Sequence, residues 1–229
     1  MIKTGMAILV AALVLGGSAN EQSRTLATGM VRVALPGTGE RSLQVSRFEV
    51  TVAEWRVCFE DGGCSHMPAA PNADESVPVT SVNWFDVTEY LSWINARGDL
   101  KLRLPTLPEW REISRALPHR NSKRLFSDPR LAWAADYGGK TTASGPPRRS
   151  GSFSSTPEGV FDLDGNVWEW TATCVSAAFE TQGENLCPAY IAAGEHEAPV
   201  SVFIRDPASG GCALGTPPAY LGLRLVSGN

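Results

Sequence analysis

Three helices are predicted in the first half of the chain from the spacing of their capping residues. A Thr or Asn side chain can accept a hydrogen bond from the backbone N–H three residues later. An acidic residue at that later position can accept one from the backbone of the first. The pairs with this spacing are Thr51 with Glu54, Asn83 with Asp86, and Thr106 with Glu109.

The helix that starts at Asn83 has the clearest amphipathic pattern. Four apolar side chains recur at helical spacing and share one face, and Gly98 stands where the chain can leave the helix. We expect this face to pack in the core. It consists of Trp84, Val87, Leu91 and Ile94.

Short apolar runs predict strands towards both ends of the chain. Residues 31–35 and 43–50 suggest an opening hairpin, and 200–204 and 221–226 are typical of further strands. Gly, Pro, Ser and Thr crowd residues 138–159, which favours long ordered loops. Since such backbone holds itself together poorly, we expect a metal ion or a disulfide to cross-link this half.

Composition indicates one globular domain, or at most two small ones, and argues against a nucleic-acid binder. The chain has 229 residues, of which 43% are hydrophobic and 19% charged, with a formal net charge of −4. Proteins that bind nucleic acid usually carry a basic face that neutralises phosphates. The local basic cluster of Lys140, Arg148 and Arg149 is typical of solvated surface, and we assign it no role from sequence.

The N-terminus has the pattern of an export signal. Lys3 supplies positive charge, residues 6–15 are apolar, and Gly17, Ser18 and Ala19 form a small-residue cleavage site. We therefore expect a signal peptide at 1–19, cleaved near Ala19, and one mature domain at 20–229. The alternative is a short, uncleaved membrane anchor, although the apolar stretch is brief for a membrane span.

Export makes disulfides possible, and five cysteines allow at most two pairs within the chain. Cys58 and Cys64 flank Gly62 and Gly63, where a helix can end and the chain can turn back. We expect Cys58 to pair with Cys64, and Cys174 with Cys187. Cys212 would then be free, although its pairing with either of the latter two stays open.

The segment 165–170, Gly-Asn-Val-Trp-Glu-Trp, is the most informative stretch of the chain, and its short pattern suggests an ordered, partly buried loop. Asp162, Asp164 and Glu169 supply carboxylate oxygens, and Gly165 lets the backbone turn so that carbonyls can point at one centre. These features indicate a calcium site. The alternative is an ordinary core of Trp168 and Trp170, with Glu169 bonded to nearby backbone N–H groups.

Five segments, in order, resemble landmarks of the formylglycine-generating enzyme (sulfatase-modifying factor) family. They are Phe-Glu-Val-Thr-Val-Ala-Glu-Trp at 48–55, Pro-Val-Thr-Ser-Val-Asn-Trp at 78–84, Arg-Leu-Pro-Thr-Leu-Pro-Glu-Trp at 103–110, the segment 165–170, and Gly-Leu-Arg-Leu-Val at 222–226. The resemblance spans nearly the whole mature chain. It implies a C-type-lectin-like α+β fold with few regular elements, long ordered loops and bound calcium.

The resemblance also implies a ligand set for calcium. By match, Asp162, the carbonyls of Gly165 and Val167, and the carboxylate of Glu169 would bind one ion. A second calcium site of the family lies upstream, but the region around Ala135 and Asp136 matches too poorly to carry its ligands over.

Enzymes of this family oxidise a substrate cysteine with oxygen and copper, which two cysteines five positions apart hold near the C-terminus. Two soft thiolates suit Cu(I). Cys212 lies near the place of the second cysteine, but the residue five positions before it is Pro207. We therefore expect a pseudoenzyme that binds no copper and has no catalytic residues. The scattered His66, His119 and His196 suggest no replacement site.

Exported, non-catalytic members of the family imply a role in regulation. The resemblance is greatest to a periplasmic regulator of type VI secretion, whose partner is the periplasmic domain of an inner-membrane Ser/Thr kinase. Two alternatives stay open: a formylglycine-type cysteine oxidase or related oxygenase that uses Cys212, and a calcium-dependent, lectin-like ligand binder.

Overall fold

The computed structural model describes residues 29–36, 41–69, 74–117, 146–175, 187–194, 197–207 and 220–228. These residues form a mixed α+β fold of eight short strands and three helices. In chain order the elements are β1 (Met30–Ala34), β2 (Ser42–Ser46), α1 (Val52–Glu60), α2 (Trp84–Asn95), β3 (Leu102–Arg103), α3 (Leu107–Ser114), β4 (Trp168–Cys174), β5 (Ala189–Ala193), β6 (Glu197–Ser201), β7 (Leu221–Gly222) and β8 (Val226–Ser227).

Two four-stranded sheets divide these strands. The first has the order β1-β2-β8-β3 and the second β6-β5-β4-β7. The opening hairpin is confirmed, since β1 and β2 pair antiparallel with Val31 opposite Val45. The pairing of β4 with β7 is parallel and sets Glu169 opposite Gly222. The last apolar run therefore contributes to both sheets, because β7 joins the second and β8 the first.

The three predicted helix starts are confirmed, and each has both hydrogen bonds of a capping box. Thr51, Asn83 and Thr106 are the N-caps. The buried face of α2 differs slightly from the predicted stripe, because Val87 and Ile94 are joined there by Asp86, Tyr90 and Trp93, whereas Trp84 and Leu91 are half-buried. The helix also ends at Asn95, before Gly98.

Three predicted boundaries need correction. The strand expected at 200–204 is β6, which lies earlier because its ladder with β5 runs from Ser201 back to Glu197. The run 221–226 is interrupted between β7 and β8. The segment 165–170 is a loop only in its first half, since β4 starts at Trp168 and pairs with β5 and β7.

Both expected disulfides are confirmed: Cys58 with Cys64, and Cys174 with Cys187. Several predictions fall outside the described residues: the signal peptide at 1–19, Cys212, His119 and His196, and the region of Ala135 and Asp136. Within the described ranges, no helix is long and apolar enough to cross a membrane.

Candidate functional site

Asp162 organises the loop that precedes β4. Its carboxylate is fully buried and accepts hydrogen bonds from the backbone N–H groups of Gly151 and Phe153. Its own carbonyl accepts from the N–H of Gly165 at 3.1 Å, which closes a tight turn. Asp162 thus joins the backbone at Gly151 and Phe153 to the turn before β4.

Gly165 is needed for packing rather than for an unusual backbone conformation. The left-handed residues of this loop are Asp162 and Asn166, each with a φ of 67°. A β-carbon on Gly165 would lie 2.3 Å from Cδ1 of Phe153, well inside contact distance. Gly165 was predicted for the freedom of its backbone, but it is required because the ring of Phe153 takes the space of a side chain.

Glu169 lies on β4 with its carboxylate buried, 1% exposed. Nε1 of Trp110, from α3, donates to Oε2 at 2.8 Å. The guanidinium of Arg224 donates to Oε1 at 2.8 and 3.0 Å and to Oε2 at 3.2 Å. The neighbouring Trp170 is a fully buried core residue whose ring N–H donates to the carbonyl of Val82.

Arg224 lies between β7 and β8, and all five of its N–H donors are used. Besides Glu169, it donates to the carbonyls of Ser46 and Arg47 from Nη1, at 2.9 and 3.0 Å, and to that of Phe161 from Nη2, at 2.7 Å. The side chain is 0% exposed. The guanidinium therefore links the two sheets to each other and to the loop before β4 that contains Asp162, which we call the Asp162 loop.

Glu49 is a buried carboxyl that no donor from the described part of the chain reaches. It is 1% exposed, and neither of its oxygens has a hydrogen-bond partner. Nη2 of Arg224 lies 4.0 Å from Oε2 of Glu49, but its protons are already donated to Phe161 and Glu169. Burial raises the pKa of Glu49 well above its usual range; Arg224 opposes this rise, and the charges of Glu169 and Asp162 add to it.

The buried cluster therefore holds more acid than base: Asp162, Glu169 and Glu49 share one guanidinium. A cation near Asp162 would offset this imbalance. Among the described residues, no group of three or more His, Cys, Asp or Glu side chains is placed to hold a metal, so a calcium site here needs backbone carbonyls.

The predicted calcium ligands differ in whether their oxygens are free to bind an ion. Each oxygen of Asp162 accepts one N–H and keeps a lone pair for a cation, and the carbonyls of Gly165 and Val167 belong to the same short loop. Both oxygens of Glu169 already accept two donors each. Glu169 therefore does not fit as a direct ligand in this arrangement, while calcium at the loop stays a prediction.

Sequence reasoning missed Glu49, Arg224 and Trp110 as members of this cluster. A signal existed, since each lies in one of the five segments that carry the family resemblance. Glu49 and Arg224 also interrupt apolar runs, where a charge is costly unless it is paired. Their contacts could not be read from spacing, because Arg224 reaches Ser46 across 178 positions.

The family resemblance predicts the first copper cysteine at position 207, and the residue there is Pro207, which is buried. Proline carries no thiolate, so it cannot bind copper through its side chain. Nearby, Arg205 forms a two-point ion pair with Asp86 of α2, at 2.8 Å for each contact. This pair fixes the chain before Pro207 to the start of α2.

Comparison with known families gives one model that spans most of the chain. The Sulfatase-modifying factor enzyme 1-like domain matches residues 11–228. A curated relative, "Inactive C-alpha-formylglycine-generating enzyme 2" of Bos taurus, is 32% identical over 116 residues. That match covers 44% of this chain and 34% of the relative, so the chain corresponds to about a third of that protein's length.

Solved structures of the same architecture are similar at low identity and support the fold alone. The structure of PvdO from Pseudomonas aeruginosa matches with a TM-score of 0.53 and 18% identity, covering 83% of this chain and 82% of that one. Treponema denticola variable protein 1 matches with a TM-score of 0.55 and 13% identity, covering 86% and 94%.

Proposed function

Because the chain belongs to the sulfatase-modifying factor enzyme 1-like family, we propose that it is a non-catalytic regulator built on that scaffold. It acts in the periplasm, binds the periplasmic part of an inner-membrane Ser/Thr kinase, and so promotes activation of a type VI secretion system. The observation that carries the loss of catalysis is Pro207, which stands where the copper site needs a cysteine.

The chemistry of copper supports this reading. Cu(I) bound by thiolates needs a second soft ligand to form a defined site, and Cys212 alone supplies only one. The curated relative carries the word "inactive" in its own name. Non-catalytic use of this scaffold is therefore known in a relative, and a scaffold without chemistry acts through its surface.

Two features support export and a structural use of calcium. The disulfides Cys58–Cys64 and Cys174–Cys187 fit an oxidising compartment such as the periplasm. One calcium ion at the loop that contains Asp162 would offset the negative charge of that carboxylate, because the guanidinium of Arg224 is hydrogen-bonded to Glu169 instead; we therefore propose that calcium supports folding. A lectin-like binder would instead lose glycan binding when calcium is removed.

The test of function is capture of partners by the mature chain, residues 20–229, from envelope extract. Recovery of the kinase's exported domain is expected. Titration with Cu(I), with Cys212→Ser as the matched control, separates regulator from oxidase. A stoichiometric copper complex that disappears in Cys212→Ser would contradict the pseudoenzyme proposal.

A further inference from the structure

A surface of arginine and phenylalanine side chains lies beside the loop that contains Asp162; its arginines and Phe48 are exposed, whereas Phe153 and Phe161 are half-buried. We call it the Arg–Phe face: Arg47, Phe48, Phe161, Arg148 and Phe153. The rings of Phe48 and Phe161 stack with centroids 5.1 Å apart. Gly151, two residues before Phe153, lies against the ring of Phe48, since a β-carbon there would lie 3.2 Å from that ring.

The two arginines of the face lie over rings instead of pairing with acids. The guanidinium carbon of Arg47 is 5.6 Å from the centroid of Phe161, and that of Arg148 is 5.6 Å from the centroid of Phe153. Within the described parts of the chain, neither side chain forms an ion pair or a hydrogen bond. When a guanidinium stacks on a ring, its N–H groups point outward in the plane of the guanidinium. A carboxylate at that edge can accept hydrogen bonds from two of them.

Acidic residues on the adjoining loops form no ion pair with the arginines of the face in the described structure. Most of them are already engaged: Asp162 by backbone N–H groups, Asp164 by the N–H of Ser154, and Asp74 by Arg149. Glu158 is exposed but forms no ion pair with Arg47 or Arg148 in the described structure. Two guanidiniums that no described carboxylate pairs with favour a partner that supplies carboxylates.

The backbone under the face is held rigidly, which suits a binding surface. Asn166 bonds both the N–H and the carbonyl of Arg148, at 2.8 and 3.1 Å. The N–H of Phe161 donates to the carbonyl of Arg47 at 2.8 Å, and that carbonyl also accepts from Arg224. Binding would therefore cost little ordering of the main chain.

We propose that the Arg–Phe face binds an exposed acidic segment of a partner protein. Carboxylates of the segment accept hydrogen bonds from Arg47 and Arg148, and apolar side chains between them pack on Phe48 and Phe153. The inference rests on the proposed function, since it names the surface and the chemistry by which a protein partner is recognised.

The face is tested first with a simple probe: a short fluorescein-labelled peptide of alternating Glu and Leu, measured by anisotropy against the mature chain. Arg47→Ala/Arg148→Ala should weaken binding by about tenfold or more, and added salt should weaken wild-type binding. Arg115→Ala is the matched control, because Arg115 is exposed, lies on the C-cap of α3 and is not part of the face. An unchanged melting temperature of the double variant shows that it is folded.

Two results would overturn the inference. The first is equal binding of the peptide to wild type and to the double variant. The second is that the peptide does not bind, while phosphatidylserine vesicles bind wild type and lose that binding in the double variant. The kinase's exported domain is then tested in the same assay. If it binds wild type and the double variant equally, the proposed function stands and the Arg–Phe face fails as its contact surface. If the kinase domain binds neither protein while the peptide binds wild type and not the double variant, the Arg–Phe face is supported as a binding surface and the kinase proposal fails.

Discussion

The ion pair between Glu169 and Arg224 makes the sharpest prediction about stability. Replacing Glu169 with Gln removes the charge but keeps the size of the side chain. Arg224 would then be buried against an amide, with Glu49 4.0 Å away and not hydrogen-bonded to it. Trp110 would keep an acceptor only if the amide oxygen faced it.

The cost follows from the burial of both groups, which are at most 1% exposed. Removing one partner of a buried ion pair costs about 3–5 kcal/mol. That is a large part of the roughly 5–15 kcal/mol that stabilises an ordinary domain. For a chain of this size we expect the melting temperature to fall by roughly 6–20 °C.

The assay is urea unfolding of the mature chain, followed by tryptophan fluorescence, with calcium and with a chelator. The double variant Glu169→Leu/Arg224→Met should lose less stability than the sum of the losses for Glu169→Leu and Arg224→Met. The expected coupling energy is about 0.5–3 kcal/mol, because the double variant leaves neither member of the ion pair buried without the other. Trp110→Phe is a milder variant that removes only one donor to Glu169. A loss below about 1 kcal/mol for Glu169→Gln would refute the assigned role of the pair.

Three further predictions concern the neighbouring residues. Because the pKa of Glu49 is raised in the folded state, its contribution to stability is full below the ordinary pKa of glutamate and is lost as the pH rises through the raised value. Glu49→Gln should therefore gain on wild type in free energy of unfolding as the pH rises above about 4.3, and parallel pH profiles of the two proteins would contradict this. Gly165→Ala should destabilise by about 1–3 kcal/mol in urea, and Phe153→Ala in the same chain should recover part of that loss, whereas no recovery would rule out the ring contact. Asp162→Asn should reduce the rise in melting temperature that calcium gives, with Asp164→Asn as control, and an equal rise in both would argue against the loop as the calcium site.

Local signals explain why the helices could be predicted. Each capping box is closed within four residues, so Thr51, Asn83 and Thr106 carry their information in the adjacent sequence. The disulfide of Cys58 with Cys64 is similar, since the partners are six positions apart and a glycine turn joins them. Hydrogen bonds and cross-links between residues close in sequence can therefore be predicted from the sequence.

The ends of strands and the buried charges could not be predicted in this way. The strand β4 gains its identity from partners about 20 and 50 residues later, so a two-residue alternation of tryptophans was too short a signal. The role of Gly165 depends on the ring of Phe153, and that of Arg224 on carbonyls at the other end of the chain. Such features arise from packing, which sequence spacing does not encode.

The proposed role of the protein is a scaffold that has lost its chemistry and binds a kinase. The most direct test is isothermal titration of the mature chain with the purified exported domain of the Ser/Thr kinase, in calcium-containing buffer, with Cys212→Ser run in parallel. We predict a saturable complex of equal affinity for wild type and Cys212→Ser, because binding uses the surface and not the thiol. No measurable complex, or one that depends on Cys212, would contradict the proposed role.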